Sequence, residues 1–326
     1  MRGLVEDKFQ RKIDYLRVSV TDRCNLRCFY CMPKEGVKWK KAQEILRYEE
    51  IEKIINVALQ VGISKVRLTG GEPLVRKNLL PFIGRIAKLK GLEDLSMTTN
   101  GLLLASQAQA LKEAGLKRVN ISLDTLNHAV FKEITGFDKL EAVLAGIDKA
   151  LEVGLTPLKI NMVLMRNINE EDALELAFWT KEKTVHVRFI ELMPMGALGK
   201  DRFLSVKTLK KRITAREKLL PAPGPSGSGP ADYYTFSGSP GTVGFISPLS
   251  NHFCHACNRL RLTADGRLRP CLMSALEVDI KERIRAGASE EELVEIFRQV
   301  IAMKPEGHNL EKEEYKGKRK MSQIGG

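Results

Sequence analysis

Six short β-type runs, each followed by a stretch of helical periodicity, occupy residues 15 to about 218 and leave few architectures open. The strand candidates are YLRVSVT (15–21), KVRLTG (65–70), DLSMTTN (94–100), RVNISLD (118–124), PLKINMVL (157–164) and VHVRFIEL (185–192). Between them lie amphipathic stretches such as EEIEKIINVALQVG, LLPFIGRIAKLK, QAQALKEAG, LEAVLAGIDKALEVG and EEDALELAFWTKEK, several ending at glycine, which closes a helix without strain. Helical crossovers return each strand parallel to the one before it. The options are a doubly wound sheet or an incomplete (β/α) barrel. A closed eight-stranded barrel would need two more strands. At 326 residues with 43% hydrophobic side chains, the chain is long enough for at least one large core.

Successive strand residues point to opposite faces, so the runs also predict what each face does. One face is apolar: Leu16, Val18 and Val20; Val66 and Leu68; Val119, Ile121 and Leu123; Ile160, Met162 and Leu164. The other carries Arg17, Ser19, Arg67, Thr69, Ser96, Thr98, Asn100, Asn120, Ser122, Asp124, Lys159, Asn161 and Arg188. With helices over the apolar face, those polar residues line a wide inner cavity whose ligands satisfy them. The alternative is one solvated sheet face, less compatible with helical crossovers. Fifty-three Lys and Arg against 40 Asp and Glu give a net charge of +13, which calls for an anionic partner.

Six cysteines fall into two groups of three, Cys24, Cys28 and Cys31, then Cys254, Cys257 and Cys271, with none between. A disulfide framework would be denser and more evenly spread, so the groups read as metal sites in a reducing, cytoplasmic setting. The start of the chain shows no secretion signal, and no apolar run is long enough to span a membrane. CxxxCxxC follows the first strand, and three thiolates on one loop can hold three corners of an iron-sulfur cubane with the fourth iron open. A structural zinc would need a fourth ligand, and the nearest histidine in sequence is His128. For the second group, spaced CxxCx13C, His252 or His255 could complete a zinc set. Such a ribbon beside Arg259, Arg261, Arg267 and Arg269 could bind nucleic acid, although it lacks stacking aromatics and a recognition helix. A second open cubane is the other option.

Past residue 218, PAPGPSGSGPADYY breaks both periodicities and reads as a linker or flexible loop. Its GSG follows no strand, and the chain has no P-loop. TVGFISP and RLRLTADGRLRP, the latter with a DG hairpin signal, flank the second cysteine group, and a helix is expected near 289–303 before a charged tail ending Gly325-Gly326.

CNLRCFYC at the end of the first strand, with LTGGEP after the second, resembles the radical S-adenosylmethionine superfamily. SVTDRCNLRCFYCMP, VRLTGGEPL, TTNG, RVNISLDTL, KINMV, RFIELMPM, CNRLRLTADGRLRPCL and the terminal Gly-Gly follow in order over essentially the whole chain. Together they are similar to the GTP 3′,8-cyclase family, which opens molybdenum cofactor biosynthesis. The resemblance implies an incomplete (β/α)6 TIM-like barrel over 1–220. A region over 221–326 would close the barrel and carry a second 4Fe-4S cluster. It implies conversion of GTP to (8S)-3′,8-cyclo-7,8-dihydroguanosine 5′-triphosphate, in which a 5′-deoxyadenosyl radical takes the ribose 3′ hydrogen and C3′ attacks guanine C8.

Residue roles come with the same resemblance. Cys24, Cys28 and Cys31 match the ligands of the S-adenosylmethionine cluster, and Cys254, Cys257 and Cys271 those of the second. Tyr30, Gly71, Ser122 and Met193 match S-adenosylmethionine contacts, while Arg17, Arg67, Thr98, Lys159, Arg259, Leu260 and Arg261 match GTP contacts. Gly325 and Gly326 match a catalytic tail. The implied partners are an electron-donor protein and cyclic pyranopterin monophosphate synthase, which takes the product. Neither membrane nor nucleic acid is expected, and a homodimer is left open.

Overall fold

The computed structural model describes residues 6–33, 35–195, 200–227, 229–308, 317 and 319–325. The six expected strands form as β1 (Tyr15–Ser19), β2 (Lys65–Thr69), β3 (Asp94–Thr99), β4 (Arg118–Ser122), β5 (Lys159–Leu164) and β6 (His186–Glu191). They lie side by side in chain order, every neighbouring pair parallel. The helices between them are α1 (Tyr48–Gln60), α2 (Leu79–Ile86), α3 (Leu104–Glu113), α4 (His128–Thr135), α5 (Leu140–Glu152) and α6 (Asp172–Trp179). Three expected helix ends are closed by glycines with positive φ, Gly62, Gly115 and Gly154. Helix α4 was hidden because only Phe131, Ile134 and Thr135 of its eight residues are buried. Asn127 starts it by accepting from the backbone nitrogens of Ala129 and Val130.

The apolar face of the strands is the core. Leu16, Val18, Val66, Leu68, Val119, Ile121, Ile160 and Met162 are fully buried in one cluster with Ile51, Ile54 and Ile55 of α1 and Phe82 of α2. Such side chains each contribute about 1.5–3 kcal/mol of burial, so this face fixes the register of the sheet.

Two more parallel strands do exist, one at each edge. After α7 (Val206–Arg216), β7 (Leu220–Pro221) and β8 (Asp232–Thr235) lead into β9 (Thr242–Ile246), which pairs parallel with β6. Strand β10 (Arg259–Leu262) pairs parallel with β1 and turns through Gly266, at φ 80°, into β11 (Arg267–Arg269). The sheet order is β12-β11-β10-β1-β2-β3-β4-β5-β6-β9-β8-β7, where β12 is Val278–Asp279. Among the described residues β9 and β10 pair with antiparallel strands instead of each other, so the sheet is a partial barrel with both rims extended by residues 221–326. After α8 (Ile280–Arg285), α9 (Glu290–Ala302) adds Leu293, Phe297, Val300 and Ile301 to the same core, and α10 (Met321–Ile324) ends the described chain. Among the described residues no helix is long and apolar enough to cross a membrane.

The Pro- and Gly-rich stretch is not a bare linker. The Ser226 carbonyl accepts from Lys159 Nζ at 2.7 Å, Gly227 packs so close to Arg118 that no Cβ would fit, and Gly229 and Pro230 reach the inner cavity. A buried cation needs acceptors, and this loop supplies a carbonyl to Lys159.

Candidate functional site

The polar strand face lines an inner cavity of about 310 Å³, into which the first cysteine group opens. Cys24, Cys28 and Cys31 sit on the loop after β1, where the backbone nitrogens of Cys31 and Met32 both donate to the Cys28 carbonyl and tighten the turn. The LTGGEP loop after β2 presses against this turn. Gly71 N donates to Thr21 O and Glu72 N to Arg23 O, each at 2.8 Å. A Cβ on Gly71 would stand 2.3 Å from the Arg23 carbonyl, so glycine is what permits the approach. The Glu72 carboxylate accepts from Leu74 N, Thr99 Oγ1 and Asn100 N, which ties β3 to the same point. Asn100 in turn reaches Asn25 of the cysteine loop at 2.7 Å. Burial pushes the Glu72 carboxyl up to about 7 even against these donors. Tyr30 Oη donates to Asp124 at 2.7 Å, and burial likewise raises Asp124 to about 6. The thiols share this dry setting: burial drives Cys28 well upward and Cys31 to about 12. Metal must therefore displace protons to bind here.

Across the cavity the strand register gathers cations. Arg17 of β1 stands directly beside Arg67 of β2 on one side and Arg261 of β10 on the other, with Arg259 beside Tyr15 one step below. Neighbouring strands are about 4.8 Å apart, and like charges abreast are destabilising without an anion. Burial lowers all three: Arg17 well below its usual value with added repulsion from Arg261 and Arg67, and Arg67 and Arg261 to about 10 with added repulsion from Arg188 and Arg259 respectively. Asn120, with its amide oxygen turned toward them, accepts from both Arg67 and Arg188. Several buried polar atoms on this wall, Tyr15 Oη, Arg67 Nη2, Thr69 Oγ1, Thr98 Oγ1 and Arg259 Nε, have no protein partner among the described residues. Such a wall suits a polyanion with several acceptor oxygens.

The second cysteine group lies just behind this wall. Phe253, Arg259 and Leu272 line the cavity, whereas Cys254, Cys257 and Cys271 themselves do not. Cys254 and Cys257 share a tight turn, with Cys257 N donating to Cys254 O, and Cys271 follows β11. Burial raises the Cys257 thiol, but Arg259 and Lys304 outweigh it and hold the group at about 6. His252 and His255 are both exposed, and the His252 ring lies against His308. Among the described residues no three His, Cys, Asp or Glu groups converge on a point that could hold one ion, as zinc requires. Thiolates that each take a different iron of a cubane do not need to converge.

Most residues singled out in the sequence meet here. Arg17, Tyr30, Arg67, Gly71, Thr98, Ser122, Met193, Arg259 and Arg261 line the cavity with Cys24, Cys28 and Cys31. Two do not. Lys159 is almost fully buried beneath the cavity on Ser226, and burial beside Arg188 and Arg118 drops it to about 6. Leu260 alternates between two cavity arginines and points into the core. The Gly325 carbonyl accepts from Arg261 Nη1 at 2.6 Å, and its α-carbon packs on Thr69 and Ser19 where a Cβ would clash; Gly326 lies outside the described residues. Met321 and Ser322 line the same cavity, so the tail reaches it. Sequence reasoning passed over Tyr15, Lys304 and Arg11 as site residues. The alternation that placed Arg17 also marks Tyr15, two residues earlier, whereas nothing in the spacing of Lys304 and Arg11 marks them, since loop docking brings them in.

Residues 18–180 match the Radical SAM superfamily, and residues 185–310 match Molybdenum Cofactor Synthesis C. The chain is 49% identical over 326 residues to the GTP 3′,8-cyclase of Pelotomaculum thermopropionicum, covering 99% of this chain and 100% of that one. It is 50% identical over 324 residues to the GTP 3′,8-cyclase of Moorella thermoacetica, with the same coverage. Among solved structures, Streptococcus suis SuiB bound to S-adenosylmethionine superimposes with a TM-score of 0.60 at 16% identity, over 97% of this chain and 79% of that one, a likeness of fold.

Proposed function

The chain belongs to the GTP 3′,8-cyclase family of the radical S-adenosylmethionine superfamily, and from that membership we propose the roles of its cavity residues in converting GTP to (8S)-3′,8-cyclo-7,8-dihydroguanosine 5′-triphosphate, the first step of molybdenum cofactor biosynthesis. Arg261, Arg17 and Arg67, abreast on three neighbouring strands and all lining the cavity, carry the proposal: guanidiniums side by side offer paired donors to the oxygens of a triphosphate. With two 4Fe-4S clusters and S-adenosylmethionine bound, one electron from the donor at the first cluster would cleave S-adenosylmethionine to methionine and a 5′-deoxyadenosyl radical able to take the ribose 3′ hydrogen of GTP; C3′ would then bond guanine C8, and one further electron and a proton would complete the dihydro ring.

In this proposal Cys24, Cys28 and Cys31 ligate the first cluster, and Tyr30, Gly71, Ser122 and Met193 surround S-adenosylmethionine. Three thiols of one short loop opening into the same cavity as these four residues favour that fit. Arg17, Arg67, Thr98, Arg259 and Arg261 bind GTP, with Leu260 contributing only through its backbone. Lys159 reaches GTP if its bond to the Ser226 carbonyl is given up. Cys254, Cys257 and Cys271 ligate the second cluster. The residues need no general acid or base for such a reaction; they position the ligands, neutralise phosphate charge and exclude water from a reactive carbon radical. Gly325 completes the enclosure at Arg261, and Gly325 and Gly326 are proposed as the catalytic tail. We further propose residues 1–220 as the unit of the first cluster and 221–326 as that of the second. The enzyme works in the cytoplasm, drawing electrons from a donor protein and passing its product to cyclic pyranopterin monophosphate synthase.

Anaerobically reconstituted protein, given GTP, S-adenosylmethionine and dithionite, is expected to form 5′-deoxyadenosine only when GTP is present, together with the cyclised triphosphate by mass spectrometry. Deoxyadenosine formation indifferent to GTP would overturn the substrate assignment.

A further inference from the structure

Two buried cations from opposite ends of the chain grip the second cysteine group. Arg11 Nη1 donates to the carbonyls of Cys254 and Glu306, and Nη2 to that of Pro305, while Asp7 neutralises it at 2.6 Å. Lys304, at the end of α9, is 2% exposed. Its Nζ uses all three donors: Arg259 O at 2.8 Å, Pro270 O at 2.9 Å and Cys257 Sγ at 3.5 Å. The two carbonyls belong to separate limbs. Arg259 lies two residues after Cys257, and Pro270 immediately precedes Cys271. Unlike Arg11, Lys304 has no carboxylate within ion-pair distance among the described residues. A buried ammonium without a counter-ion is costly, and the anions available to it are the cysteine sulfurs.

Resting on the two-cluster proposal, we propose that Lys304 is the positioning residue of the second cluster. It pins the Cys257 and Cys271 limbs together through two carbonyls, and it sets the cluster's reduction potential with an uncompensated charge and a hydrogen bond to a ligating sulfur. Adding an electron adds negative charge, so a cation and donor at the sulfur favour the reduced form. A helix-end lysine serving only the helix dipole would instead point at the carbonyls of α9.

The test uses the full chain, reconstituted anaerobically, as Lys304→Met, which keeps the stem, and Lys304→Gln, which keeps a neutral donor. Iron content and EPR-monitored redox titration are read for both clusters, and melting for the apo forms. The expected result is a reduction equilibrium of the second cluster disfavoured at least tenfold in Lys304→Met, about 59 mV for one electron, and less in Lys304→Gln, with the first cluster unmoved. Selective loss of the second cluster's iron from an apo form that melts normally also supports the assignment. Normal iron retention with an unshifted potential in both variants overturns it, and if Lys304→Met does not fold, Lys304→Gln alone decides by the same criteria. About four irons in the unsubstituted chain would instead undo the two-cluster proposal on which this one rests.

Discussion

The two cysteine groups have the same number of thiols and opposite surroundings. Cys24, Cys28 and Cys31 come from one loop, open directly into the cavity and are flanked by buried acids, with Glu72 held up near 7 and Asp124 near 6. Cys254, Cys257 and Cys271 are assembled from two limbs of a hairpin, lie behind the cavity wall and are flanked by Arg11, Arg259 and Lys304. The acid-lined, desolvated thiols of the first group are raised, whereas in the second group the cations beside Cys257 hold that one thiol low. Local charge, and not ligand count, distinguishes two sites that look alike in sequence.

The largest break in this comparison comes from removing one thiol at each site. Cys28→Ser is expected to abolish 5′-deoxyadenosine formation, by about a thousandfold or more, and to lose about four of about eight irons. Cys257→Ser is expected to lose as much iron yet to keep some deoxyadenosine formation without cyclised product, as read by chromatography of both products. Next in size is Arg17→Leu. A charged hydrogen bond lost to phosphate lowers kcat/KM for GTP by about ten- to a hundredfold.

Alkylation of the anaerobic apo protein sharpens the contrast. At pH 7 Cys257, held near 6, is expected to react with iodoacetamide at least about tenfold faster than Cys31, raised to about 12, by peptide mapping. The smallest effect is in the pH dependence of melting. Glu72 and Asp124 have raised values, so their contribution is present in acid and is lost as pH rises through about 6 to 7. Asp265 is held near 2, because bonds from Thr263 and Arg319 outweigh its burial, and its contribution is lost only as pH falls toward 2. Glu72→Gln should flatten the melting profile between about pH 5 and 7, while Asp265→Asn should leave that window unchanged.

Much of the first site was legible because its determinants are local. The thiols of CNLRCFYC share a loop, LTGGEP follows the next strand, and period-two alternation assigned Arg17, Arg67, Thr98 and Ser122 to one face. The second site was legible only as a ligand set. Its wall depends on β10 pairing parallel with β1, some 240 residues away in sequence, and no periodicity encodes which edge a strand joins. The same applies to Lys159, whose place on the polar face was read correctly but whose bond to Ser226 takes it below the cavity.

By itself, then, the sequence determined the number of βα units, the apolar face that becomes core, the two triads of thiols and a surplus of positive charge, all properties of neighbouring residues. Tertiary structure alone decided that the surplus becomes a row, with Arg261 and Arg67 on either side of Arg17. It also decided that Lys304 and Arg11 converge on one cysteine group and Glu72 and Asp124 on the other. Charges act through space at distances of a few ångströms, and only the folded chain sets those distances.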